Sequence, residues 1–186
     1  MTIKNVICDI DGVLMHDNVA VPGAAEFLTG ILEKGLPLVL LTNYPSQTGQ
    51  DLANRFATAG VNVPDSVFYT SAMATADFLR RQEGKKAYVV GEGALCAGIE
   101  KISGRKPFYV GKPSPWIIRA ALNKMQAHSE ETVIVGDNLR TDILAGFQAG
   151  LETILVLSGV STINDIDSMP FRPSWIYPSV AEIDVI

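Results

Sequence analysis

The chain has 186 residues, of which 47% are apolar, and a formal net charge of −5. One sizeable core can be built from this, while 15 Lys and Arg residues with no basic run leave no electrostatic footprint for nucleic acid or an anionic membrane surface. No apolar stretch approaches the roughly 18 residues that span a bilayer, and no basic segment leads into an apolar one at the N-terminus, so a single cytoplasmic domain acting on small molecules is expected.

In chain order, apolar runs rich in Val, Ile and Leu occur at 5–10 (NVICDI), 36–43 (LPLVLLTN), 66–71 (SVFYTS), 86–91 (KAYVVG), 107–111 (PFYVG), 131–137 (ETVIVGD) and 152–159 (ETILVLSG). They do not alternate with polar residues, which predicts strands covered on both faces. Helical periodicity fills the intervals at 23–35, 46–60, 71–84, 112–127 and 139–150. In the fourth, Ser114 suits an N-cap and Pro115 the first helical position. The fold expected is α/β, a doubly wound and mainly parallel Rossmann-like sheet with helices on both faces. The Pro-rich stretch 161–179 reads as a C-terminal wrap with one short strand at WIY, and Trp116 and Trp175 as packing residues. Cys8 and Cys96 lie in no metal spacing, and Cys8 reads as a small buried hydrophobe. Gly146 and Gly150 lack the strand-first GxGxxG order, so close packing of helix on sheet is expected there.

Ligands of an open parallel α/β sheet bind at the carboxyl ends of its strands. Those ends carry Asp9 and Asp11, Thr42 and Asn43, Lys112 before a helix, and Asp137 with Asp142 five residues on. Two carboxylates about 4 Å apart repel by roughly 4 kcal/mol at an effective dielectric near 20, so four clustered aspartates call for a cation or a raised pKa. Oxygen-only ligands of high charge point to Mg²⁺, and a lysine facing a Thr-Asn pair suits a bound phosphate. Phosphoryl transfer follows, with Asp9 attacking phosphorus to form an aspartyl-phosphate and Asp11 moving the protons. Val13 and Leu14 at the fifth and sixth positions argue against a calcium loop. His16 and His128 read as surface residues.

With these positions in place, the chain resembles the haloacid dehalogenase (HAD) superfamily, and within it the NagD-like nucleotide and sugar phosphatases. The resemblance rests on DIDGV at 9–13, LLTNYP at 40–45, VGKPSP at 110–115 and GDNLRTD at 136–142. It implies that Asp9 is nucleophile and Mg²⁺ ligand, that Asp11 is acid/base and gives its backbone carbonyl to the metal, and that Thr42, Asn43 and Lys112 hold the phosphate. Asp137 would be the third metal ligand, and Asp142 would hold metal-bound water or the lysine. Implied substrates are nucleoside monophosphates or sugar phosphates. Members of this subfamily usually carry a cap domain between the second and third motifs, and the interval from Thr42 to Lys112 is too full of predicted core elements to hold one. The insertion would fall at about 91–98, so a single capless domain over 1–186 is expected, with lowered efficiency and selectivity and self-association through a bare rim. A phosphotransferase or phosphomutase, and a weakened core serving as scaffold or binding module, are the competing readings.

Overall fold

The structure is a computed structural model and describes residues 3–81, 100–101 and 108–186. A six-stranded sheet forms from β1 (Asn5–Cys8), β4 (Leu38–Thr42), β5 (Phe68–Thr70), β6 (Thr132–Gly136), β7 (Glu152–Val156) and β8 (Trp175–Tyr177). Every pairing in it is parallel, and the spatial order is β5-β4-β1-β6-β7-β8. The chain therefore builds outward from β1 in one direction and returns to build from β6 in the other, so the central pair β1/β6 is a topological switch point.

The period of two explains why one apolar run serves two faces. Val6 and Cys8, Leu38 and Leu40, and Val133 and Val135 pack into one core with Leu28 and Ile31 of α1 (Ala24–Glu33) and Leu52 and Phe56 of α2 (Gly49–Thr58). Ile7, Val39, Leu41 and Ile134 point the other way, against Ala74 of α3 (Ser71–Arg80), Ile117, Ile118, Ala121 and Leu122 of α4 (Pro115–Met125) and Ala145 of α5 (Leu144–Ala149). This is the doubly wound sheet that continuous apolarity predicts. Ser114 caps α4 with Pro115 in its first turn, and α2 opens on a capping box in which Thr48 and Asp51 bond each other's backbone N–H.

The C-terminal stretch wraps as expected: the WIY segment is β8, and Val180 is buried with Ile183 and Val185 against the α1 face. Trp175 packs on that same core and Trp116 on the opposite one. Among the described residues, no helix is long and apolar enough to cross a membrane.

Three features differ from the expectation or lie outside it. Phe108–Val110 form no strand; Phe108 instead stacks on Phe78 of α3 at 5.1 Å between ring centroids. The helix expected from 139 opens with one wide π-turn (Leu139–Ile143) before α5, because the Asn138 carbonyl accepts from the N–H groups of both Asp142 and Ile143. A two-stranded hairpin, β2 (Met15–His16) with β3 (Val19–Ala20), follows β1 directly. The strand expected at 86–91 and the insertion point at 91–98 lie outside the described residues, as does Cys96.

At Gly146 a Cβ would run into Cγ2 of Ile134 and sit 2.8 Å from Cγ2 of Thr153, so α5 rests on β6 and β7 at a distance only glycine permits. Gly146→Ala is expected to lower the unfolding free energy by about 1–3 kcal/mol through overpacking. Urea denaturation checks this, and an unchanged midpoint would contradict the close packing.

Candidate active site

All the strand-end residues singled out from the sequence lie along the carboxyl edge of the sheet. Asp9 directly follows β1, and its N–H donates to the Val135 carbonyl at 2.9 Å, which seats it in the switch point between β1 and β6. Lys112 arrives from the loop before α4; its Nζ lies 2.7 Å from Asp9 Oδ1, 2.6 Å from Asp142 Oδ1 and 3.3 Å from the Leu41 carbonyl at the end of β4. One ammonium thus joins groups carried by three separate segments. Its side chain is 3% exposed and that of Asp142 is 0% exposed, so the pair lies out of water.

Asp142 is itself held. Its Oδ2 accepts from the Asn138 N–H and the Thr141 hydroxyl, each at 3.2 Å. Of the two partners the resemblance offered it, Asp142 meets the lysine. Asp137, at the end of β6, is fixed by a loop that follows β7: the Val160 N–H donates to its Oδ2 at 2.7 Å, and the Ser161 N–H to its carbonyl at 3.0 Å. Ser158 of the same loop donates from Oγ to the Gly12 carbonyl at 2.7 Å. Gly12 takes φ +86°, and a Cβ there would strike the Asp137 carboxylate, so the turn after Asp11 needs glycine for both reasons. No reading of the sequence singled out Ser158–Ser161; the strand-end rule reaches them, because they close the run that forms β7.

Thr42 is buried at the end of β4, and its Oγ1 accepts from the Tyr44 N–H at 3.0 Å, which leaves the hydroxyl proton for another acceptor. Asn43 is exposed, yet both ends of its amide are engaged: Nδ2 donates to the Lys112 carbonyl at 2.9 Å, and Oδ1 accepts the Lys112 N–H at 2.8 Å. This two-bond clasp ties the second motif to the third. Asp11 sits apart from the cluster. Its carboxylate meets Arg55 Nη2 at 2.9 Å, a partner from α2 that no local pattern in the sequence signals. His16 and His128 are exposed and take no part.

The electrostatics follow from the burial. Burial first, then the charge of Asp142, push the Asp9 carboxyl up to about 7 against the pull of Lys112. Burial also raises Asp137, with the Val160 N–H opposing it. Burial alone would lower Lys112, but Asp142 and Asp9 outweigh it and hold the ammonium charged well beyond neutral pH. Carboxylate oxygens of Asp9, Asp137 and Asp142 all lie within 4.8 Å of one another, so one lysine faces three acids. An excess of negative charge among oxygen-only donors fits a hard divalent cation.

The sequence matches the Haloacid dehalogenase-like hydrolase family over residues 6–103 and the HAD-hydrolase-like family over 109–183. It is 72% identical to the ribonucleotide monophosphatase NagD of Escherichia coli K12 over 250 aligned positions, covering 100% of both chains. Because this chain has 186 residues, at least 64 of those positions have no residue here. It is 32% identical to a dihydroxyacetone phosphatase of Corynebacterium glutamicum, with 98% of this chain and 92% of the relative covered. The solved structure of NagD from E. coli K-12 superposes with a TM-score of 0.95 at 72% identity, again over 100% of each chain.

Lys112→Met would leave Asp9 and Asp142 without their shared cation. It is expected to lower the metal-free unfolding free energy by about 3–5 kcal/mol, the usual cost of stripping one partner from a buried ion pair. Chemical denaturation in chelator reads this, and a shift below 1 kcal/mol would show that the lysine does not hold the site together. The four motifs along the carboxyl edge, the switch-point sheet and these relatives agree: the chain belongs to the haloacid dehalogenase-like hydrolases, among their NagD-like members.

Proposed function

We propose that the chain is a Mg²⁺-dependent phosphomonoesterase that works through an aspartyl-phosphate on Asp9. One observation carries the reading: Asp9 Oδ1 is clamped by Lys112 at 2.7 Å and by the Ile10 N–H at 2.8 Å, within 4.8 Å of two further acids. Both bonds fall on the same oxygen, so Oδ2 keeps its lone pairs for attack.

In the first half-reaction Oδ2 of Asp9 bonds to phosphorus as the ester P–O bond breaks, and the leaving alkoxide takes a proton from Asp11. In the second, Asp11 removes a proton from water, the water oxygen bonds to phosphorus, and the P–O bond to Asp9 breaks, returning the carboxylate and inorganic phosphate. Lys112, the Thr42 hydroxyl and the loop at Asn43 face the phosphoryl oxygens, where a point charge and short donors oppose the charge of the transition state. Asn43 also holds the Lys112 main chain through Oδ1 and one Nδ2–H, and its second Nδ2–H stays available to the phosphate. Asp9 and Asp137 with the Asp11 carbonyl would hold Mg²⁺, and Asp142 would orient Lys112. When bound, the ion offsets the carboxylates and neutralises charge on the phosphoryl group.

The relatives named above act on a ribonucleotide monophosphate and on dihydroxyacetone phosphate, which supports nucleoside monophosphates or small sugar phosphates as substrates. The alignment positions that have no residue here support a single capless domain over 1–186. Asn43, Tyr44 and Val160 around the site are exposed, in keeping with a rim that closes poorly over substrate and selects weakly among leaving groups. The exposed apolar side chains of Tyr44 and Val160 on the described part of that rim support self-association.

Phosphate release from an activated aryl phosphate tests the reading. Turnover is expected with Mg²⁺, to stop in EDTA, and to fall by on the order of 10³ or more in Asp9→Asn. Turnover that survives either treatment would contradict the mechanism.

A further inference from the structure

Arg55 lies near the end of α2 and reaches back to the segment that follows β1. Its Nε donates to the Asp17 carbonyl at 3.0 Å, its Nη2 donates to the same carbonyl, and Nη2 also meets Asp11 Oδ1 at 2.9 Å. Asp17 forms the tip of the β2/β3 hairpin, with φ 52°. The Arg55 side chain is 16% exposed while that of Asp11 is 53% exposed, and among the described residues no other side chain bonds the Asp11 carboxylate. The two ends of the linking turn are tied as well, since the Gly12 N–H donates to the Met15 carbonyl at 2.8 Å. A planar guanidinium anchored on a main-chain carbonyl therefore holds an otherwise free, solvent-facing carboxylate.

We propose that Arg55 is the positioning residue of the acid/base group, fixing Asp11 to the hairpin so that its proton is delivered along one direction. This rests on the phosphomonoesterase reading above. An exposed aspartate on a loop samples several rotamers, and a rigid fork already anchored elsewhere loses little entropy in selecting one of them. General acid catalysis is worth about 10²- to 10⁴-fold, and a group misplaced by an ångström forfeits about 10². The benefit must depend on the ester. An alkyl leaving group needs the proton from Asp11, whereas 4-nitrophenolate departs as the anion.

Steady-state kinetics of the full chain with Mg²⁺, on 4-nitrophenyl phosphate and on glycerol 2-phosphate, separate this role from a structural one. Arg55→Ala is expected to lower kcat/KM, which ends at departure of the leaving group and so leaves out the water step common to both esters, about tenfold more on the alkyl ester than on the aryl ester. In an Asp11→Asn background Arg55→Ala should add nothing, because the group it positions is gone. Should Arg55→Ala fail to fold, Arg55→Lys, which keeps the charge and loses the fork, is expected to show the same split in weaker form. Equal losses on both esters would overturn the proposal, and so would a rise in alkyl turnover, which would mean that the pair parks the carboxylate away from substrate. No Mg²⁺-dependent turnover of either ester by the unsubstituted chain would instead overturn the phosphomonoesterase reading, and this role with it.

Discussion

The acids Asp9 and Asp142 at the carboxyl edge of the sheet depend on one buried ammonium. Lys112 touches Asp9, Asp142 and the Leu41 carbonyl, and these come from the ends of β1, the π-turn after β6, and β4. Without that charge the first two would repel across a site from which water is largely removed; with it, the same charges become the reason three segments stay in register. The arrangement is under-neutralised, because Asp137 joins Asp9 and Asp142 within 4.8 Å and the lysine supplies a single positive charge. Burial, and after it the charge of Asp142, hold the carboxyl of Asp9 up near 7, and a divalent cation is the natural complement of the cluster.

The sheet makes such a cluster possible. A parallel sheet that reverses its winding direction leaves a crevice between β1 and β6, and chains leaving those two strands diverge to opposite faces. Asp9 and Asp137 leave into that crevice from rigid, fully buried strands. The remaining ties are main-chain devices: the Asn43 clasp on Lys112, the Val160 N–H on Asp137, and Ser158 on the Gly12 carbonyl. Precision at the site thus comes from loops that hold each other, on a scaffold whose strands cannot shift without exposing core.

How much of this the sequence reveals depends on the range of the interaction. Continuous Val, Ile and Leu runs ending in Asp or Thr-Asn mark β1, β4 and β6 and their site residues, since burial and charge at a strand end are both local properties. The N-cap at Ser114 and the tight glycine at 146 are legible for the same reason. Arg55 escapes because its link to Asp11 joins residues 44 apart through no periodic pattern. The Ser158–Ser161 loop was within reach of the strand-end rule and carries no charge to attract notice. Phe108–Val110 misleads because an apolar run reads alike whether its side chains enter a sheet or, as with Phe108, lie on a neighbouring ring.

The central claim is that Asp9, oriented by Lys112, takes the phosphoryl group. Acid quench of a turning-over sample, followed by mass spectrometry of the peptide that contains Asp9, tests it most directly. The account predicts a phosphorylated Asp9 peptide that appears only with Mg²⁺ and substrate and is missing in Asp9→Asn. Turnover with phosphate on a different residue, or with no phosphorylated peptide at any quench time, would contradict it.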